Sequence, residues 1–291
     1  MCVEIPEVRV GEPQVCGGVS AFPLFAERSS SLDYLLFHEA TAAKTLVVSE
    51  VSEAGEVPYL LLDNGGDRPV LLVGGEEARG GKQNRVFASS VLVAGRNGTR
   101  VPVCCVEAGR WGCGSRKFAS GSCSSPSVRH ALQAGENARQ ARVWTTICER
   151  HRRLGIRSPT GNMSDALDVR REAVEEMRRS LPYAEGASGI AVALGGKVVG
   201  IDVFDQPATM AKLWDRLVQG LVLDVAATPD TACRASGSDV AVKLYGLKNM
   251  SWQKVDSVGL GDSYRGSDDD VLATALVAGG GLVHLGASIA T

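Results

Sequence analysis

The densest run of chemically capable side chains is Gly74-Gly75-Glu76-Glu77-Ala78-Arg79-Gly80-Gly81-Lys82-Gln83-Asn84-Arg85. Two acids, three bases and an amide pair stand there among four glycines. Glycine permits positive φ and lets the backbone approach a ligand closely. Arg79, Lys82 and Arg85 have the charge and donor geometry to hold phosphate or carboxylate oxygens. Glu76 and Glu77 are adjacent, so on a strand they point to opposite faces and at most one serves a given site. The plainer alternative is a solvated hairpin tip whose charges compensate one another. A P-loop is excluded: position 76 is Glu where that motif needs Gly, and position 83 is Gln where it needs Ser or Thr.

A second run follows at Val101-Pro102-Val103-Cys104-Cys105-Val106-Glu107-Ala108-Gly109-Arg110-Trp111. On an extended strand Cys105 and Glu107 share a face, ~6–7 Å apart, and Cys104 takes the other. A thiol, a carboxylate, a guanidinium and an indole at one strand end make a credible site rim. Set against this, a buried cysteine is usually an inert core residue, with Glu107 and Arg110 paired at the edge and Trp111 covering the core. Cys104 and Arg110 match the C-x5-R spacing of phosphatase and rhodanese loops, but Glu107 would lie inside the loop and repel the oxyanion it must cradle.

Other positions carry less. His38-Glu39 lacks the second histidine of a zincin helix, because position 42 is Ala. No G-x-S-x-G occurs, and Gly259-Leu260-Gly261 lacks the third glycine of a dinucleotide fingerprint. Glu39 and Glu50 read as surface residues. Asp268-Asp269-Asp270 reads as a solvated turn, and His130, His151 and His284 as isolated histidines without a ligand role.

The elements that must position these side chains are short and apolar. Residues 45–51, 57–62, 69–73, 86–94 and 100–107 read as strands. Asn64-Gly65 predicts a hairpin between 57–62 and 69–73, and Gly95 to Gly98 another between 86–94 and 100–107. Ser125-Pro126 opens a helical segment. A further helix over 164–181 carries Leu167, Val174, Met177 and Leu181 on one stripe and stops at Pro182. Strands 189–194 and 197–204 flank Gly195-Gly196. A helix over about 207–223 aligns Met210, Leu213, Trp214, Leu217 and Leu221. The tail alternates over 239–247, 252–258, 271–277 and 282–288, which predicts strands. The expected fold is α+β: a β-rich antiparallel sheet or sandwich core with an inserted helical segment and a second β element. As one domain over 1–291 it divides into a β-rich part (15–111), a helical insertion (125–182), a second β/α element (187–225) and a C-terminal β segment (239–291).

Composition bounds the function. The chain has 291 residues, 31 basic against 33 acidic, and a net charge of −2. Such a balance supplies no basic field for nucleic acid or a membrane surface. Aromatics at 5% are too sparse for a single-strand stacking platform. The first residues carry acids and no apolar stretch of signal-peptide type, and no uninterrupted apolar run reaches ~18 residues, so a cytoplasmic location is expected. The eight cysteines (2, 16, 104, 105, 113, 123, 148 and 233) then read as thiols, and without any C-x-x-C they predict no structural zinc site.

The run GEEARGGKQNRVFASSVLV followed by VPVCCVEAGRW resembles the ADP-ribosylglycohydrolase-and-rhodanese-phosphatase-associated protein family. Glu76, Glu77, Gly81, Lys82, Gln83, Asn84 and Arg85 match the first part of its pattern. Pro102, Val103, Cys105, Val106, Glu107, Gly109, Arg110 and Trp111 match the second. Looser similarity extends over about residues 15–225, and 228–291 fall outside it. Position 78 departs, with Ala in place of a larger apolar residue. The resemblance implies a link, by association, to ADP-ribose metabolism.

Together these readings lead to an expectation of an enzyme acting on a phosphorylated or ribosyl small molecule, such as ADP-ribose or a nucleotide. Lys82, Arg85 and Arg110 would bind its anionic oxygens, with Glu76, Gln83 and Asn84 beside them. Glu77 or Glu107 would act as general acid/base or hold a divalent cation, Cys105 would be a nucleophile if catalysis is covalent, and Trp111 would stack on a base or sugar. The alternative is a non-catalytic β-sandwich module that binds a ligand or partner through the same cluster. The cofactor, metal dependence and oligomeric state are left open.

Overall fold

A computed structural model describes residues 3–27, 30–112, 115–225 and 234–290. Its largest sheet has nine strands, in the order Val8–Val10, Val19–Ala26, Gly189–Leu194, Lys197–Phe204, Gly281–Ile289, Val271–Ala278, Asp262–Asp268 and Trp252–Val255, with Gln14–Cys16 also pairing Val19–Ala26. Gly195 and Gly196, both at positive φ, make the tight turn between two of these strands. Alternation along each strand divides the sheet between two cores. Val199, Phe204 and Val283 pack with Met210, Leu213 and Trp214 of the helix Pro207–Gly220. Ile201, Val203 and Leu285 pack on the other side with Val240, Leu244 and Leu247 of the helix Gly237–Asn249.

A second sheet has six strands, in the order Ser115–Cys123, Glu76–Gly81, Arg85–Phe87, Asn97–Cys105, Tyr59–Asn64 and Leu46–Glu50. It curls until the first and last strands lie against each other, which nearly closes a small barrel. The barrel is filled by Leu46, Val48, Leu60, Leu62, Ala78, Phe87, Val101, Val103 and Phe118. A three-stranded sheet of Val91–Val93, Val70–Leu72 and Leu35–Leu36 packs beside it, the last pair running parallel. The helices Pro126–Gln133, Arg139–Leu154, Asp165–Val169 and Arg171–Ser180 follow the barrel. The fold is therefore α+β with antiparallel sheets predominating, as the sequence predicts.

Several expectations are corrected. Residues 239–247 are helical, within Gly237–Asn249. Val240 and Leu244 fit either period, but Ser236 and Asp239 form a reciprocal capping box that starts the helix. The Asn64-Gly65 hairpin does not form: Tyr59–Asn64 pairs with Asn97–Cys105, and Val70–Leu72 pairs with Val91–Val93. Asn64 is buried and donates to the carbonyls of Arg68 and Ala94. The strand expected over 86–94 breaks into Arg85–Phe87 and Val91–Val93, and the helix over 164–181 divides at Arg170. The Gly-rich polar run is not a solvated tip, since Glu76–Gly81 is itself a strand with both glutamates buried. Among the described residues no helix is long and apolar enough to cross a membrane. Cys16, Cys104, Cys105, Cys123 and Cys148 are free thiols, while Cys2, Cys113 and Cys233 lie outside the described residues.

Candidate functional site

The two polar runs meet at one end of the barrel. Glu76–Gly81 pairs with Arg85–Phe87, which in turn pairs with the end of Asn97–Cys105. The turn at 82–84 therefore folds back onto residues 107–110. Gln83 Nε2 donates to the Glu107 carbonyl at 3.1 Å, and the Asn84 N–H donates to Glu107 Oε2 at 3.1 Å. Arg110 staples the turn. Its Nη2 lies 2.6 Å from Glu107 Oε2 and donates to Asn84 Oδ1 at 3.1 Å, while Nη1 donates to the Gly81 carbonyl at 2.8 Å.

A third segment, which sequence reasoning passed over as a site, completes this seam. Thr160 Oγ1 donates to Glu107 Oε1 at 3.0 Å, and Asn84 Nδ2 donates to Asn162 Oδ1 at 3.0 Å. Ser164 Oγ donates to the Glu77 carboxylate at 2.6 Å, and Ser122 adds its N–H and hydroxyl to the same carboxylate at 3.3 Å. The signal in the chain was the run of small polar residues from Ser158 to Ser164, between two helical patterns.

The seam is almost saturated. Burial alone would raise Glu107, but the hydrogen bonds from Arg110, the Asn84 N–H and Thr160 outweigh it and hold the carboxyl below its ordinary value. Glu77 is fully buried, and burial raises it despite Ser164 and Arg79. Glu76 points away, as neighbouring strand residues must. Its Oε2 accepts the Val73 N–H at 3.0 Å, and Oε1 lies 3.8 Å from Arg216 Nε. Burial lifts it to about 7, against the pull of Arg216. Cys105 is buried, and burial pushes its thiol up, the reverse of what a thiolate nucleophile needs.

Arg85 is different. It stands on the face of its strand that carries Phe87 into the barrel, beside Ala78 and Cys105. Its exposure is 0%, yet Nε, Nη1 and Nη2 have no hydrogen-bond partner among the described residues. Burial lowers its pKa, so the surroundings oppose the charge. Trp111 lies 5.9 Å from the Arg85 Cζ and 5.6 Å from Lys82 Nζ, measured to its ring, and is 51% exposed. Glu50, expected at the surface, turns inward here. Its Oε1 accepts the Lys82 N–H at 2.8 Å, and its buried Oε2 has no partner among the described residues. Gly81 permits this closure, because a Cβ there would sit 2.1 Å from Phe118 Cζ and 2.8 Å from Glu50 Oε1.

The sequence-predicted residues thus fall into three places. Glu77, Gln83, Asn84, Glu107 and Arg110 form the seam. Lys82, Arg85 and Trp111 form the barrel mouth, with Cys105 beneath and Glu50 added. Glu76 belongs to a separate buried contact with Arg216. Chemically, the seam fixes geometry, while the mouth has donors and an aromatic face to offer an anion. Among the described residues no group of three or more His, Cys, Asp or Glu side chains is arranged to hold a metal ion.

The model of the ARG and Rhodanese-Phosphatase-superfamily-associated Protein domain, ARPP-1, matches residues 7–288, and the chain belongs to that family. The match includes 228–288, beyond the similarity visible in the short motifs. No curated protein and no solved structure matches the chain.

Proposed function

We propose that this chain binds a small anionic molecule at the barrel mouth, of the phosphorylated or ribosyl class that includes ADP-ribose and nucleotides. Arg85 and Lys82 take the anionic oxygens, and Trp111 stacks on the ligand's base or sugar. The observation that carries this reading is the fully buried Arg85 guanidinium, whose donors have no hydrogen-bond partner among the described residues. Isolating a charge from water costs several kcal/mol unless an opposite charge or acceptors offset it. A phosphate or carboxylate supplies both. Trp111, half exposed with its ring 5.9 Å from the Arg85 Cζ, has to move for a ligand to reach the guanidinium.

The same reading in catalytic form would give acid–base work to Glu77 or Glu107, or covalent work to Cys105. Glu77 and Glu107 already have close partners on their oxygens, and the thiol is shielded. Ligand capture therefore has the stronger support, and the family's association favours ADP-ribose among the candidates. Isothermal calorimetry with ADP-ribose, AMP, ribose 5-phosphate and inorganic phosphate tests this. At least one probe should bind, and Arg85→Met should weaken it roughly tenfold or more, the size of a lost charged hydrogen bond. Binding by none of the four, or equal binding by folded Arg85→Met, would overturn it.

A further inference from the structure

A second chemical constellation lies away from the barrel mouth, where the loop after Arg85–Phe87 meets the large sheet. Ser90 Oγ lies 2.7 Å from His284 Nδ1, and His284 Nε2 lies 3.1 Å from Asp202 Oδ1. All three residues are buried. The hydrogen bonds fix the protons. Asp202 accepts both a salt bridge from Arg129, at 2.6 and 2.7 Å, and the His284 contact, so Nε2 carries the imidazole proton. In the neutral imidazole Nδ1 is then the acceptor that faces the Ser90 hydroxyl. The Gly74 N–H, at 2.9 Å, donates to Ser90 Oγ and fixes the hydroxyl's direction.

The large sheet builds this arrangement. Phe204 is directly opposite His284 in the register and stacks on its ring at 4.5 Å. Asp202 is opposite Gly286, and a Cβ on Gly286 would come within 3.0 Å of His284 Cε1. The missing side chain leaves the ring room to lie across Asp202. Burial would raise Asp202, but Arg129 and His284 outweigh it and hold the carboxyl below its ordinary value. It therefore stays ionised beside the imidazole.

Ser90 also lines a cleft of about 600 Å³, together with Tyr59, Arg139, Tyr264, Arg265 and Thr274. That is the size range of small-molecule sites. Its lining carries Arg139, Lys254 and Arg265 against Glu136 and Asp256, an excess of one positive charge. Arg139 and Arg265 share the Glu136 carboxylate at 3.6 and 3.4 Å, and the buried Arg139 Nε has no partner among the described residues.

We propose that Ser90, His284 and Asp202 form a hydrolytic relay that cleaves carboxylic esters bearing a negative charge, independently of the barrel mouth. Ser90 Oγ bonds to the ester carbonyl carbon as its proton passes to His284 Nδ1. The carbon–alkoxy bond then breaks, and the alkoxide leaves with that proton as an alcohol. Water attacks the acyl-serine, giving a proton to Nδ1. The Oγ–carbon bond breaks, Oγ recovers the proton, and the acid departs. The net reaction is ester plus water to acid plus alcohol. Ser90 and His284 act on the reacting atoms, and Asp202 positions the imidazole.

The test uses the whole chain with a fluorophosphonate probe, then with p-nitrophenyl acetate and the p-nitrophenyl monoester of succinic acid. One equivalent of probe should attach, and peptide mapping should place it on Ser90. The succinate ester should turn over faster than the acetate. Ser90→Ala should abolish labelling and turnover with the circular dichroism spectrum unchanged, and His284→Gln should slow labelling roughly 100-fold or more. If either variant fails to fold, the mapped adduct on the unaltered chain decides. Absence of an adduct on Ser90, or an adduct elsewhere with Ser90 unmodified, overturns the proposal.

Discussion

Replacing Arg85 with methionine should stabilise this protein, although the substitution removes one of its largest buried side chains. The guanidinium is fully buried, and its three nitrogens make no hydrogen bond among the described residues. Effective desolvation of such an ion costs several kcal/mol. The ring of Trp111, 5.9 Å from Cζ, returns about 0.5–2 kcal/mol, and the carboxylate of Glu50 adds some attraction. Methionine keeps much of the apolar stem in contact with Phe87 and its neighbours without the charge. The balance favours Arg85→Met by about 1–3 kcal/mol, or roughly 2–8 °C in Tm. Urea titration of both proteins, at equal m-value, measures it. A loss of about 3–5 kcal/mol would refute the reasoning, because that is the signature of a buried charge deprived of its partner. Arg85 would then be a structural ion, and the barrel mouth would have nothing to offer an anion.

Two other outcomes follow from the same electrostatics. Burial lifts Glu76 to about 7 from an ordinary 4.5, so between those values the folded chain holds a proton that the unfolded chain has lost, and stability falls as pH rises. Glu76→Gln removes this titration, so its advantage over the unaltered chain should grow by about 3 kcal/mol between pH 4 and pH 8, read from urea midpoints; a gap that does not change with pH would show that Glu76 is not desolvated. Under native conditions a maleimide should modify the exposed Cys148 and spare Cys104, Cys105 and Cys123, whose thiols burial raises, Cys104 and Cys123 to about 12. Prompt labelling of Cys105, mapped by mass spectrometry, would restore it as a nucleophile.

Local rules carried the sequence reading wherever one short segment decides its own conformation. Gly195-Gly196 turned where expected, and Glu76 and Glu77 took opposite faces because strand geometry leaves no other choice. The helix bearing Leu213, Trp214 and Leu217 formed because its apolar spacing repeats at the helical period. The same rules misread 239–247. Val240, Val242 and Leu244 alternate like a strand, yet Val240, Leu244 and Leu247 also fit a helix, and the cap at Ser236 and Asp239 favours the latter. Asn64-Gly65 failed for a related reason: the asparagine side chain bonds carbonyls four and thirty residues away, and each flanking strand finds its ladder elsewhere.

The residue types available for chemistry, and the two runs that concentrate them, are written in the chain. Their separation into an almost saturated seam and an unsatisfied mouth is a property of the nearly closed barrel. Whether a charge costs or gains energy depends on which groups surround it, and these come from Glu50, Asn162 and Ser164, far away in sequence. The Ser90–His284–Asp202 line depends on tertiary structure still more completely. Its members lie 194 and 82 residues apart, and no local period brings a loop serine onto a histidine of the last strand. Only the docking of the barrel on the large sheet does so, because hydrogen bonds act over about 3 Å of space and are blind to distance along the chain.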